Sequence, residues 1–472
     1  MRRIVRLPLL FLLGICLMSA GIDLTQLLNY QSQLTPNYIS RDNTSTNAIT
    51  DEGATLGRVL FYDKSLSVDF STSCATCHQQ QFAFGDTNFV SIGANGLTGR
   101  HSMRLVNARF AEEERFFWDE RAATLEIQTT QPIQDHAEMG FSGTDGDPSL
   151  NDLIERMEGI SYYPELFTLA YGDAEITEVR MQQAIAQFVR SIQSFDSKYD
   201  AGRSMAPNDG GNFSNFTASE NRGKNLFLAP PQRDPNGIRT GGGAGCGGCH
   251  RPPEFDIDPD SRSNGVVLSA GSSEIDGGVT RSPSLRDMIN PDGVLNGNLM
   301  HTAAFSSLEE VIDHYDNIAA SPQFAPGVMI DNRLRPAGNP QVLNLTDTEK
   351  EDLVAFLKTL TGSDMYTNEK WADPFDENGD LELTGVTTSV DNDLTASVRF
   401  YPNPTQDFLF VEVESGSYTL QVFDLSGALL VHQIGQANKL SVDMSNLESG
   451  IYVLRVMDED KNLLVNQKVV KL

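Results

Sequence analysis

Residues 71–80 read STSCATCHQQ and residues 244–253 read AGCGGCHRPP. Each contains Cys-x-x-Cys-His, once at Cys74, Cys77 and His78 and again at Cys246, Cys249 and His250. Two thiols three positions apart can reach both vinyl groups of a haem, and the histidine that follows can bind its iron from one face. The same spacing serves zinc half-sites and redox dithiols. The stretch between the two pairs is far longer than in a zinc ribbon, and zinc requires no histidine after each pair. A thioredoxin-like dithiol needs a βαβ context, and no Rossmann-like or Walker glycine signature follows a strand here. The reading is two covalently bound haem c groups.

The one remaining cysteine, Cys16, lies in the opening MRRIVRLPLLFLLGICLMSA. A basic start (Arg2, Arg3, Arg6), an apolar run from Leu7 to Met18 and a small-residue exit at Ser19-Ala20 predict a signal peptide over residues 1–20. The run is shorter than the ~20 residues of a membrane span, so export without a permanent membrane anchor is expected. Lipid attachment at Cys16 is opposed by the bulk of Ile15. Exported proteins normally use cysteines for disulfides, and here none is left over. Loss of the three arginines would take the net charge from −29 to −32. So acidic a chain argues against nucleic acid and anionic membranes, and fits a basic protein partner.

A chain of 472 residues is too long for one compact core. Its halves repeat each other: Gly57-Arg58-Val59-Leu60-Phe61 precedes the first motif and Gly223-Lys224-Asn225-Leu226-Phe227 the second. This is the pattern of a duplicated cytochrome c unit, a helix followed by a haem-binding turn. Ile185, Phe188, Ile192 and Phe195 form a stripe at helical spacing, read as core. Thr346 and Glu349 predict a capping box before a helix carrying Leu353, Phe356, Leu357 and Leu360.

From about residue 50 to 365 the chain resembles the bacterial dihaem cytochrome c peroxidases and their MauG-like relatives. The resemblance rests on LGRVLFYDKSLSVDFSTSCATCHQQQFAFGD, RHSMRLVNARF, FFWDERAATLEIQTTQPIQDHAEMG, RSPSLRDM and LMHTAAFSSLEEVIDHYD taken together. It implies hydrogen peroxide as substrate and a small electron-donor protein such as a cytochrome c as partner. Trp118 matches a tryptophan between the haems, and Gln128 and Glu138 match residues over the peroxide-reactive haem. A carboxylate above an open iron position can take a proton from the inner peroxide oxygen and return it to the outer one. An amide beside it can hold the peroxide without changing charge. Read without the family, Glu138 is a solvated loop carboxylate and Gln128 a helix-surface residue.

The far side of each iron departs from the family pattern. Typical peroxidases carry a second, releasable histidine before the stretch equivalent to RHSMRLVN, and no histidine lies between residues 79 and 100. The first haem is expected to be open, with His101 as the other candidate ligand. His101 aligns with an asparagine that helps bind a calcium ion in relatives, which puts that ion in doubt although Asn296 and Asn298 match other positions around it. For the second haem, counting from His301 leads to Tyr315, where MauG-like enzymes place a tyrosine ligand. His314 and Met300 are the competing candidates. An anionic oxygen ligand favours ferric iron and lowers the potential relative to methionine.

After residue 368 the composition changes. Residues 369–395 read as an acidic linker. From Val398 the chain alternates as short strands (FLFVEVE, YTLQVFD, ALLVHQI, KLSVDM, GIYVLRVMD, LLVNQKVVKL), predicting a small β-sandwich. YPNPTQDFLFVEV, SGIYVLRV and the closing KVVKL resemble a type IX secretion sorting domain, which implies that export machinery as a partner and the cell surface or exterior as the destination, with the periplasm as the alternative. The expected fold is mainly α: two cytochrome c-like haem domains, 50–215 around the peroxidatic haem and 216–368 around the electron-transfer haem, then an all-β sandwich over 396–472. The expected function is a secreted dihaem c peroxidase. The rivals are a MauG-like oxidase acting on a protein or organic substrate, and a dihaem electron carrier. A homodimer is among the assemblies the resemblance allows.

Overall fold

The computed structural model describes residues 21–268, 274–278, 281, 283–385, 398–413, 417–424, 428–435, 439–458 and 463–472. The signal peptide expected at residues 1–20 lies outside the described residues. The chain divides into two compact units, Met1–Thr384 and Gly385–Leu472. Among the described residues no helix is long and apolar enough to cross a membrane.

The first unit holds ten α-helices among the described residues: α1 (Asp51–Tyr62), α2 (Cys74–Cys77), α3 (Leu125–Thr129), α4 (Leu150–Glu158), α5 (Tyr162–Tyr171), α6 (Glu178–Ser191), α7 (Lys198–Met205), α8 (Ala218–Leu228), α9 (Leu308–Asp316) and α10 (Asp347–Lys358). The sequence repeat is a repeat of packing. Helix α1 crosses α6 where Gly57 meets it, and a Cβ on Gly57 would stand 1.9 Å from the Ala184 carbonyl oxygen and 2.9 Å from Phe188 Cβ. Helix α8 crosses α10 in the same way: a Cβ on Gly223 would stand 1.8 Å from the Asp352 carbonyl oxygen and 2.9 Å from Phe356 Cβ. Only a residue without a side chain lets the backbones come this close. Phe61 then packs on Phe188 with ring centroids 5.1 Å apart, and Phe227 on Phe356 at 5.3 Å. Phe84 joins the first pair and Phe255 the second. Both follow a Cys-x-x-Cys-His turn with positive φ, 57° and 55°.

Each crossing anchors its own apolar core. The first includes Leu60, Phe61, Ile185 and Phe188, and the second Phe227, Leu353, Phe356 and Leu360. The capping box at Thr346 and Glu349 is formed at the start of α10. The stripe on α6 is shorter than its spacing suggests, because the helix ends at Ser191. Asn107 N–H donates to the Ile192 carbonyl and Asn107 Oδ1 accepts from Ser194 N–H, drawing the chain out of the helix. Phe195 lies beyond it, its ring 5.0 Å from that of Phe110.

Part of the stretch read as linker is built into this unit. Trp371 is buried in the first core, and its Nε1 donates to the Ser191 carbonyl at 3.1 Å. Tyr62 and Arg58 on α1 donate to the carbonyls of Trp371 and Ala372. Leu383–Thr384 pairs in parallel with Ile22–Asp23. The acidic residues that suggested a linker lie on the outside of this strap, and its apolar residues face inward.

In the second unit Leu429–Gly435, Tyr418–Phe423, Gly450–Asp458 and Leu463–Lys471 form an antiparallel sheet in that order. Lys439–Asp443, Phe408–Val413 and Val398–Tyr401 form a second antiparallel sheet. Alternate residues, among them Leu409, Val411, Leu420, Val422, Leu454 and Val456, fill one core between the sheets.

Candidate active site

The first Cys-x-x-Cys-His begins on the one-turn helix α2, whose first turn is closed by Ser73 N–H donating to Thr76 Oγ1 at 3.0 Å. The chain then doubles back through Ala83 and Phe84, both with positive φ. That turn puts the Phe84 carbonyl 3.0 Å from His78 Nδ1. A carbonyl can only accept, so the ring proton sits on Nδ1 and the Nε2 lone pair is left for a metal. Burial holds His78 below the ordinary histidine value, which keeps it neutral. Burial also pushes Cys74 up to about 12 and Cys77 to about 11, the opposite of a low-pKa redox dithiol. Cys74 packs against the first core and Cys246 against the second, which argues against one four-cysteine zinc site.

These residues line a cavity of about 480 Å³, within the roughly 300–1,000 Å³ range of small-molecule and cofactor sites. Trp118, Gln128 and Glu138 line it too. Gln128 reaches it from α3, which is capped by Thr124 and tied to α6 by the ion pair of Glu126 with Arg190. Glu138 is held through its main chain: its N–H donates to Asp135 Oδ1 at 3.1 Å, and its carbonyl accepts from Ala94 N–H at 2.7 Å. Gly93 packs so tightly here that a Cβ would stand 2.1 Å from the Ala137 carbonyl oxygen. Burial pushes the Glu138 carboxyl up to about 7; Asp135 adds to the rise and Arg121 opposes it. Such a carboxyl exchanges protons near neutrality, as a general acid–base group must.

Trp118 Nε1 donates to the His101 carbonyl at 2.7 Å, and its ring lies 6.1 Å from that of His301 at 58°. His101 N–H donates in turn to the His301 carbonyl at 2.9 Å. Trp118 is thereby fastened to the half of the unit that carries the second motif. Among the described residues His101 is the only histidine besides His78 on the cavity wall. Its Nδ1 is taken by the Asn88 carbonyl at 2.7 Å, and its Nε2 would lie 3.6 Å from a Cβ on Gly297. The ring lies beside the 296–298 turn, and with Nδ1 on a carbonyl its Nε2 lone pair is the one left for a metal, as in His78. In that turn Asn296 Nδ2 donates to the Asp287 carbonyl and to Tyr366, while its buried Oδ1 has no partner. Asn298 donates to the Ala303 carbonyl. Oxygen acceptors of this kind suit calcium, whereas the imidazole beside them does not.

At the second motif burial pushes Cys246 up to about 12 and holds His250 down at about 4, so the imidazole is neutral. The Phe255 main chain acts on His250 as Phe84 acts on His78, but Nδ1 completes no well-aligned hydrogen bond. Tyr315 is half-buried near both thiols, and its hydroxyl accepts from Asn264 Nδ2 at 2.9 Å. Met300 Sδ lies 3.6 Å from the same amide. His314 uses both ring nitrogens, Nδ1 with Ser321 at 2.7 Å and Nε2 with the Asn264 carbonyl at 3.0 Å, so it has none to offer iron.

The sequence reading missed the charged wall of the first cavity. Arg104 and Arg281 line it, and each leaves a buried Nε–H without an acceptor. Two such donors fit the two carboxylates of a haem. Both lie in stretches that carry the resemblance, RHSMRLVN and RSPSLRDM, but nothing in their spacing marks them as cavity residues. The unpaired cysteines, the neutral His78 and these donors together fit a covalently bound haem c.

Residues 51–205 match the family model described as di-haem cytochrome c peroxidase, and residues 399–471 that of a secretion system C-terminal sorting domain. Over 329 residues the chain is 30% identical to the methylamine utilization protein MauG of Methylophilus methylotrophus, covering 67% of this chain and 84% of that protein. The chain belongs to the di-haem cytochrome c peroxidase and MauG family. It is also 26% identical over 331 residues to the cytochrome c551 peroxidase of Nitrosomonas europaea, covering 67% of this chain and 82% of that one. Among solved structures, a MauG-like protein associated with microbial copper homeostasis superposes with a TM-score of 0.55 at 28% identity, covering 72% of this chain and 98% of that one. Family membership makes this a haem oxidoreductase with two haem c groups, ending in a sorting domain.

Proposed function

We propose that the protein is a secreted dihaem c peroxidase that reduces hydrogen peroxide to water with two electrons from a cytochrome c or similar donor. The observation that carries this reading is the convergence of Glu138, Gln128 and the His78 motif on one cavity, with the carboxyl poised near 7. Cys74, Cys77 and His78 would hold the first haem, whose iron would supply the redox chemistry on peroxide. Glu138 accepts the proton of the inner peroxide oxygen and returns it to the outer one, and Gln128 steadies the peroxide through its amide. Trp118, fastened to both halves, is the side chain placed to share electrons between them. Arg104 and Arg281 would hold the haem carboxylates.

A second reading, a MauG-like oxidase that turns the same oxidising power on a protein or organic substrate, is favoured by Tyr315. It lies near Cys246 and Cys249, and the competing His314 has both nitrogens engaged. The sorting domain supports release at the cell surface through type IX secretion.

Steady-state turnover of hydrogen peroxide with reduced cytochrome c tests the acid–base assignment. Glu138→Gln is expected to lower kcat/KM for peroxide by about 10²–10⁴-fold while both haems stay attached. Full turnover in that variant would overturn the assignment. Wild-type chain that reacts with peroxide but accepts no electrons from any small cytochrome would favour the oxidase.

A further inference from the structure

Arg286 is wholly buried and makes two hydrogen bonds to Asp200, at 2.9 and 3.0 Å. The nearest oxygen of a second buried carboxylate, Glu254, stands 3.7 Å from Arg286 Nε. One cation thus faces two carboxylates, and Asp200 has already taken its bidentate face. Burying the surplus charge is costly, so one of the two is poised to take up a proton when further negative charge arrives. Asp200 is further satisfied by Ser197 and by the Tyr38 hydroxyl at 2.7 Å, and stays below the ordinary aspartate value. Glu254 has only the Asn107 amide, at 3.0 Å on Oε2, and its Oε1 has no partner.

The placement of Glu254 gives a proton taken up there a use. It follows the second haem motif by four residues, yet its side chain lines the cavity of the first. Asn107, its one hydrogen-bond donor, comes from the first half of the unit. Asp256, Arg281 and Arg104 share the cavity wall with it. Any change of charge at either haem site reaches Glu254 through protein rather than bulk water, where such interactions are weakly screened.

We propose that Glu254 is a redox-linked proton site between the two haem sites, taking up one proton when an external one-electron reductant delivers an electron and releasing it when that electron leaves. The electron goes to the haem iron, the proton comes from solvent, and the Glu254 carboxylate becomes a carboxylic acid, so the buried region gains no net charge. Burial already brings Glu254 up to about 7 against the pull of Arg286, which sets the working range near neutral pH. This rests on the two haem groups and not on which reductant or substrate the enzyme uses.

The test is a spectroelectrochemical titration of the full chain with both haems attached, from pH 5.5 to 8.5. In wild type the potential of one haem is expected to fall with pH, approaching 59 mV per unit, which is the tenfold change in equilibrium constant of a one-proton, one-electron couple. Glu254→Gln is expected to flatten that slope, and Glu254→Asp to keep a slope in a displaced pH window. A slope that persists unchanged in Glu254→Gln would overturn the proposal, as would potentials independent of pH in wild type. If Glu254→Gln does not load haem, Glu254→Asp decides: a displaced window supports the proposal and an unmoved one overturns it. Neither result bears on the peroxide role of Glu138, which is read by turnover.

Discussion

Glu138 works only if its carboxyl can be empty of a proton when peroxide arrives. Because burial raises it from the ordinary 4.5 to about 7, most of it is protonated at pH 5 and little at pH 8.5. The rate of reaction with peroxide is therefore expected to rise through neutral pH and level off, and stopped-flow measurements on Glu138→Gln should show a slow, flat profile. At the other site Tyr315→Phe removes the only anionic oxygen candidate. The potential of the second haem is expected to rise, since ferric iron loses a stabilising ligand; an unchanged potential and spectrum would remove Tyr315 from the iron. The Cys-x-x-Cys-His motifs were legible because haem attachment fixes residue type and spacing, whereas Glu138 stood out only through the family resemblance. His101 and His314 were not settled by spacing, because a histidine's role depends on what its two nitrogens touch. Asn88, Ser321 and Asn264, which decide that, are remote from them or unremarkable in sequence.

Two glycines set the helix crossings on which both haem turns hang. Gly57→Ala and Gly223→Ala each force a Cβ into a carbonyl oxygen, at 1.9 and 1.8 Å, and backbone cannot give way as a flexible side chain could. Overpacking of this kind costs roughly 1–3 kcal/mol or more. Thermal unfolding of either variant is expected to begin at lower temperature, with Phe84 or Phe255 displaced from its aromatic partners and haem retention reduced. The paired G-x-x-x-F patterns showed in the sequence as a repeat, but the close crossing at each glycine is visible only in the structure. The strap over residues 365–384 was hidden by its composition. Acidic and small residues surround Trp371, and only the Ser191, Tyr62 and Arg58 contacts show that it closes the first core.

At the scale of the molecule, the haem unit and the sandwich are separate compact units, and each has its own core. A chain ending at Thr384 is expected to bind both haems and keep its peroxide reaction, and to be retained by cells that release the full chain; fractionation with haem staining checks this. The sandwich was legible as a change from helical spacing to strict alternation, whereas the division of the chain falls at Thr384, inside the stretch 369–395 read as linker. The asymmetry between the two haem sites was legible only in part, because it depends on the surroundings of each iron rather than on the repeated motif. Electron paramagnetic resonance of the purified ferric protein tests that asymmetry most directly. The expected spectrum has one high-spin haem, open to peroxide beside Glu138, and one low-spin haem with an oxygen ligand from Tyr315. Two low-spin, six-coordinate haems that do not react with added peroxide would contradict it and leave a carrier of electrons in place of an enzyme.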